Sequence, residues 1–187
     1  FASNGQADEA VKYLLRAEKF LPHDPGIQYN LAKALDSLGR NQEAISHHLK
    51  AIKLAPLNPD VWLNYGMSLS HLGKTQEAID AFDKSIEIAP NYAEAFFNSG
   101  VAFFSLGRHA ESQQKIKRSL DLKPDLMEAW VVLGNLHKEL KMNEEALGFY
   151  LKAFELNPDH YDNCMNIGVL YLLNEDPRSA LKFYLRA

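Results

Sequence analysis

A proline returns every 34 residues in this chain, at Pro22, Pro56, Pro90, Pro124 and Pro158. The same step carries Ala32 to Gly66, Gly100, Gly134 and Gly168, and Gly5 to Gly39, Gly73 and Gly107. It also carries Ala10 to Ala44, Ala78, Ser112, Ala146 and Ala180, with no insertion or deletion to disturb the register. A fixed period of this length means that one supersecondary unit is repeated along the chain. Each unit can bury its apolar face only by stacking on its neighbours.

Inside each unit two amphipathic helical stretches alternate. Apolar residues recur at three-to-four spacing, as in Leu31, Ala34, Leu35 and Leu38, then Ala44, Ile45, Leu49 and Ile52. Small residues such as Gly66 and Ala78 let the two helices of a hairpin approach closely. Gly39, Gly73 and Gly107 suit the turn between them, where a positive φ costs glycine little. The prolines fall just past the second helix and stop it, because proline cannot continue the hydrogen-bond ladder. Lys141 and Glu175 stand at the glycine place in the last units, which predicts looser turns there.

These residues resemble the tetratricopeptide repeat family. One match runs Trp62, Leu63, Asn64, Tyr65, Gly66, Leu69, Gly73, Ala78, Phe82 and Pro90; a second runs Trp130, Leu133, Gly134, Ala146, Tyr150, Ala153 and Pro158. The resemblance covers the chain as a single array. Partial repeats at 1–24 and 161–187 flank full repeats at 25–58, 59–92, 93–126 and 127–160. It implies an all-α fold, a right-handed superhelix (an α-solenoid) of antiparallel helix hairpins, and protein binding rather than catalysis. The array opens and closes inside second helices, and its last helix carries the apolar set Ala180, Leu181, Tyr184 and Leu185. A fragment of a longer chain is therefore expected, with self-association through uncapped ends as the alternative.

Composition narrows the function further. The 20 basic and 24 acidic residues give a net charge of −4, without the basic surplus that nucleic acid or an anionic membrane demands. No apolar run approaches the ~18 residues of a membrane-spanning helix. A lone cysteine, Cys164, excludes an internal disulfide and fits a reducing, cytoplasmic location. It occupies the place of Trp62, Phe96 and Trp130 in other repeats and reads as a small core residue. The histidines at 23, 47, 48, 71, 109, 137 and 160 hold unrelated places in the repeat. His47 and His48 point about 100° apart on a helix and cannot share a metal as an i, i+4 pair would. Neither a phosphate-cradling loop nor a nucleophile elbow is found. No catalytic site, cofactor or metal is expected.

In the resembled family the first helix of each repeat lines the concave surface that partners occupy. The resemblance places Tyr29, Leu63, Phe97, Val131 and Met165 in one row there. Lys33, Met67, Val101, Asn135 and Val169 form another, with Phe104 and Leu172 beyond. The middle of this surface is apolar, as interaction sites are. Between the rows run Asn30, Asn64, Asn98, Val132 and Asn166. A carboxamide carries donor and acceptor together and can pair with the backbone of an extended peptide. Where Val132 interrupts, Asn135 stands one turn on. The ladder resembles the one lining the superhelix of O-linked N-acetylglucosamine transferases. The carboxylate clamp of chaperone-binding members does not fit, because Asp60, Glu94, Glu128 and Asp162 stand where a clamp lysine belongs. Those acids suit a basic or neutral ligand, or simply complement the helix dipole.

The resulting expectation is a scaffold that binds an extended protein segment in its groove, with no nucleic-acid or membrane partner. A substrate-docking arm of a larger, glycosyltransferase-like enzyme and a self-assembling array are the alternatives. The core place assigned to Trp62 predicts that Trp62→Ala costs ~3–5 kcal/mol in thermal or denaturant unfolding.

Overall fold

The structure, a computed structural model, describes residues 2–187, and its regular elements there are all helices. In chain order they are α1 (Ala2–Phe20), α2 (Pro25–Ser37), α3 (Asn41–Leu54), α4 (Pro59–His71), α5 (Thr75–Ile88), α6 (Ala93–Ser105), α7 (His109–Leu122), α8 (Met127–Glu139), α9 (Asn143–Leu156), α10 (Tyr161–Leu173) and α11 (Pro177–Tyr184). The even-numbered members up to α10 are the first helices of hairpins; each packs most extensively on the second helix that follows it. Second helices also pack on the next first helix, and α2, α4, α6 and α8 touch in succession. The result is an α-solenoid with two layers of helices. None is long and apolar enough to cross a membrane among the described residues.

Both kinds of boundary follow from local chemistry. The residue before each repeat proline is pushed out of the helical region by the ring. Ala55, Ala89, Lys123 and Asn157 accordingly have φ between −143° and −129° and ψ between 67° and 93°. Side-chain caps then restart the chain, with Asp24 accepting from Ile27 N–H at 2.9 Å and Asp176 from Ser179 N–H at 3.0 Å. Within a hairpin, the turn closes as a Schellman motif. Lys74 N–H reaches the Leu69 carbonyl at 2.9 Å and Gly73 N–H the Ser70 carbonyl at 3.0 Å.

The turns at Lys141 and Glu175 are not looser. Both residues adopt the left-handed conformation of the glycines, with φ of 61° and 59° against 71°, 75° and 69° at Gly39, Gly73 and Gly107. Their closing bonds, Met142 N–H to His137 O and Asp176 N–H to Tyr171 O, are 2.9 Å each. The packed helices on either side dictate the turn, and the side chain accepts the strain. Gly5, by contrast, lies inside α1.

Close approach defines each hairpin. A methyl group at Gly66 would stand 2.5 Å from Phe82 Cε1, and one at Gly100 would stand 2.6 Å from Ile116 Cδ1. Gly134 faces Tyr150 and Gly168 faces Tyr184 in the same way. The place held by Trp62, Phe96 and Trp130 is half-buried, not core. Its polar atom ties the helix to the preceding loop. Trp62 Nε1–H donates to the Pro56 carbonyl at 2.8 Å and Trp130 Nε1–H to that of Pro124 at 2.9 Å. Cys164 and Gln28, which holds this place in the first hairpin, are fully buried, the Cys164 Sγ lying 3.3 Å from the Pro158 carbonyl. Trp62→Ala therefore removes less buried area than its sequence position suggests, and its cost falls below the ~3–5 kcal/mol of a fully buried ring.

Two glycines in one hairpin give opposite expectations. Gly134→Leu overpacks against Tyr150 and should lower unfolding free energy by roughly 1–3 kcal/mol. Gly148 is exposed with nothing near its missing Cβ, so Gly148→Ala should raise it by ~0.5–1 kcal/mol. Lys141→Gly, relieving left-handed strain, should stabilise by about 0.5–1 kcal/mol. Urea unfolding of the three variants checks all of these.

Candidate functional site

The first helices present a shared face, and its middle is a groove of about 240 Å³. Met67, Ser70 and His71 of α4 form one wall and Asn98, Val101, Ala102 and Ser105 of α6 the other, with Thr75 at one end. The lining carries no carboxylate, lysine or arginine. Met67 is 37% exposed, whereas Val101 is half-buried against the Ile116 and Leu133 core. Further along the array Val169 and Leu172 are exposed, so apolar surface continues on α10.

The expected first row does not stand free in this groove. Leu63 is buried in a core cluster with Ala95 and Ala102, because the touching first helices close over it. Tyr29, Phe97, Val131 and Met165 are half-buried; Phe97 and Val131 pack on cores that the next first helix shares, and Tyr29 reaches Asn64 of the next one. The outer row is more open. Lys33 is exposed with its ammonium 5.2 Å from the Tyr29 ring centre, and Phe104 is half-buried beside His109.

The asparagines differ in what they have to offer. Asn30 is exposed. Asn64 Nδ2 donates to the Asp60 carbonyl at 2.7 Å and the Tyr29 hydroxyl at 3.2 Å, and Asn98 Nδ2 donates to the Glu94 carbonyl at 2.7 Å. The carboxamide planes are thereby fixed, which leaves both side-chain oxygens as the acceptors available to a ligand. Asn166 accepts from Lys138 Nζ at 2.8 Å. Asn135, the expected stand-in for Val132, accepts from the Tyr150 hydroxyl at 2.7 Å and is tied to the core. Burial, with the charge of Glu139, pushes the Tyr150 phenol well above its ordinary value.

One polar cluster escaped the sequence reading. His48 is fully buried and meets Asp36 Oδ2 at 2.8 Å, while Ser68 Oγ donates to the same carboxylate at 2.7 Å. The signal was present: His48 stands 34 residues before Phe82 and so holds the place of that ring, Ile116, Tyr150 and Tyr184. The smaller imidazole leaves room for Ala32 where other hairpins have glycine. A nucleophilic relay would need the imidazole between hydroxyl and carboxylate. Here the carboxylate is in the middle, so the cluster joins α2, α3 and α4 and does not activate Ser68. No group of side chains suited to a metal ion occurs among the described residues.

Several cations on the second-helix side are paired. Lys50 pairs with Glu18 at 2.8 Å, Lys84 with Glu87 at 2.6 Å, Lys152 with Glu155 at 3.0 Å and Arg186 with Asp159 at 3.2 Å. Lys50 and Gln28 hold the Glu18 carboxyl below its ordinary range. These pairs interrupt the cations of the second-helix side, where Lys117 and Arg118 of α7 stay exposed.

Family models described as tetratricopeptide repeat match residues 1–52 and 29–93, and others of the same description match 93–126 and 128–160. No curated protein matches the chain. Among solved structures, Pseudomonas aeruginosa PilF is similar with a TM-score of 0.86 at 18% identity, covering 100% of this chain and 85% of that one. MamA of Desulfovibrio magneticus RS-1 gives 0.77 at 18%, covering 87% and 92%. YrrB, described as a protein of this repeat type with an unusual peptide-binding site, gives 0.70 at 22%, covering 92% and 89%. At these identities the likeness is one of fold.

The buried cluster makes its own prediction. Asp36→Ala strands His48 and Ser68 without their acceptor and should cost ~1–3 kcal/mol. Ser105→Trp, at an exposed groove position, should leave the melting midpoint nearly unchanged.

Proposed function

The chain belongs to the tetratricopeptide repeat family, and on that premise we propose that this protein-interaction scaffold holds an extended partner segment along its first helices. The observation that carries the reading is the uncharged groove between α4 and α6. It is floored by side chains that the core has already immobilised. Ordering costs at binding are low when the receptor is preorganised in this way. The oriented oxygens of Asn64 and Asn98 would accept backbone N–H groups of the segment, and Met67 and Val101 would meet its apolar side chains. An extended backbone suits these contacts, because it presents N–H groups at regular intervals whatever its sequence. The unusual peptide-binding site named for YrrB is consistent with this scaffold taking peptides in more than one manner.

The test is affinity for a peptide selected from a random displayed library on the intact chain. Ser105→Trp fills the groove and should abolish binding, while Asn64→Ala with Asn98→Ala should weaken it about tenfold, as the loss of two hydrogen bonds implies. Unchanged affinity in both variants would place the ligand elsewhere.

A further inference from the structure

One stretch of α7 departs from the repeat in charge. Gln114, Lys115 and Lys117 stand where α5 has Asp80, Ala81 and Asp83 and where α9 has Gly148, Phe149 and Leu151. Arg118 keeps the basic place of Lys84 and Lys152. At these four places α7 therefore carries three cations, whereas α5 and α9 carry one each. The three line a pocket of about 600 Å³ between α6 and α7, with Phe96, Gln114 and Asp121 completing its wall. None of these residues lines the groove between α4 and α6.

Exposed lysines on a helix are ordinarily solvated and by themselves ask for no ligand. This pocket differs in that its cations lack the carboxylates that neutralise their counterparts. Lys84 and Lys152 each pair with the glutamate three residues on, at 2.6 and 3.0 Å. In α7 that place holds the shorter Asp121. Neither Lys117 nor Arg118 has a hydrogen-bond or ion-pair partner among the described residues, although Asp121 lines the same pocket. The Arg118 guanidinium lies 5.9 Å from the centre of the Phe96 ring, and the Lys115 ammonium lies 5.7 Å from it. Lys115 is held in turn by Asp83 at 2.6 Å. A cation within ~6 Å of a ring centre is attracted to the ring face. That attraction positions the guanidinium without consuming its N–H donors, whose planar fork matches a carboxylate.

We propose that this pocket is a second binding site, separate from the groove, for the carboxylates of an acidic partner segment. A carboxylate entering it gives Arg118 the acceptor that Glu87 and Glu155 give to its counterparts. Lys117, exposed beside it, takes a second carboxylate, and Phe96 braces the guanidinium from below. The cationic surface ends within one repeat, because Lys84 and Lys152 on the neighbouring second helices are already paired. So short a track suits a few side-chain carboxylates and not a nucleic-acid backbone, which binds through many phosphate contacts. The site does not depend on what the groove holds.

The experiment measures, by fluorescence anisotropy on the intact chain, the binding of three randomised nonapeptide pools with Glu, Gln or Lys at two fixed central positions. A single-stranded DNA oligonucleotide of mixed sequence is the fourth probe. The Glu pool should bind best, and Ser105→Trp in the groove should leave its affinity unchanged. That affinity should fall about tenfold in the exposed double variant Lys117→Gln, Arg118→Gln, and also in about 0.5 M salt. The control Lys84→Gln, Lys152→Gln, which removes paired cations, should bind as the parent chain does. A Gln or Lys pool that binds as well as the Glu pool overturns the proposal, as does an equal loss in the control or no loss in the α7 variant. Loss of binding in Ser105→Trp moves the acidic segment into the groove and overturns the second site. DNA bound as tightly as the Glu pool makes the patch a general polyanion surface and overturns the acidic partner.

Discussion

Everything in this fold hangs on how closely the two helices of each hairpin can approach. Gly66, Gly100, Gly134 and Gly168 give up a side chain so that Phe82, Ile116, Tyr150 and Tyr184 can lie directly on the first-helix backbone. That contact fixes the separation of each pair, and the 34-residue step repeats it. The turn geometry is subordinate to it. Lys141 and Glu175 are forced into a conformation that other residues than glycine rarely adopt, because the helices on either side admit no other closure. The first hairpin solves the same problem differently, with Ala32, His48 and a shared carboxylate.

The same packing shapes the face of the first helices. First helices that touch one another squeeze Leu63 into the core and hold Phe97 and Val131 in the seams. What remains open is narrow and rigid: one exposed methionine, a half-buried valine, small residues and two oriented carboxamides. Protein interiors resist deformation, so a segment held in the proposed groove would have to match its shape.

Periodicity made most of the fold legible from sequence. Every helix end expected from a proline falls where expected, since the ring acts locally through the residue before it. Hairpin glycines were readable for the same reason. Errors arose where a side chain's fate depends on a neighbouring repeat. Leu63 looks like a groove residue until α6 is packed over it, and Trp62 looks like core until its indole nitrogen is seen reaching Pro56. Asn135 has the right chemistry for the ladder but spends its oxygen on Tyr150. His48 could have been found by aligning it with Phe82; its partners on α2 and α4 could not.

The working surface proposed for this chain is the first-helix layer around the α4–α6 groove. Amide chemical-shift mapping of the chain with a bound peptide from the displayed library tests it most directly. The account predicts that the largest shifts fall on Met67, Ser70, Asn98, Val101 and their neighbours on α8, with α5 and α7 unmoved. Shifts confined to the second helices, for instance around Phe96 and the exposed Arg118 of α7, would contradict it.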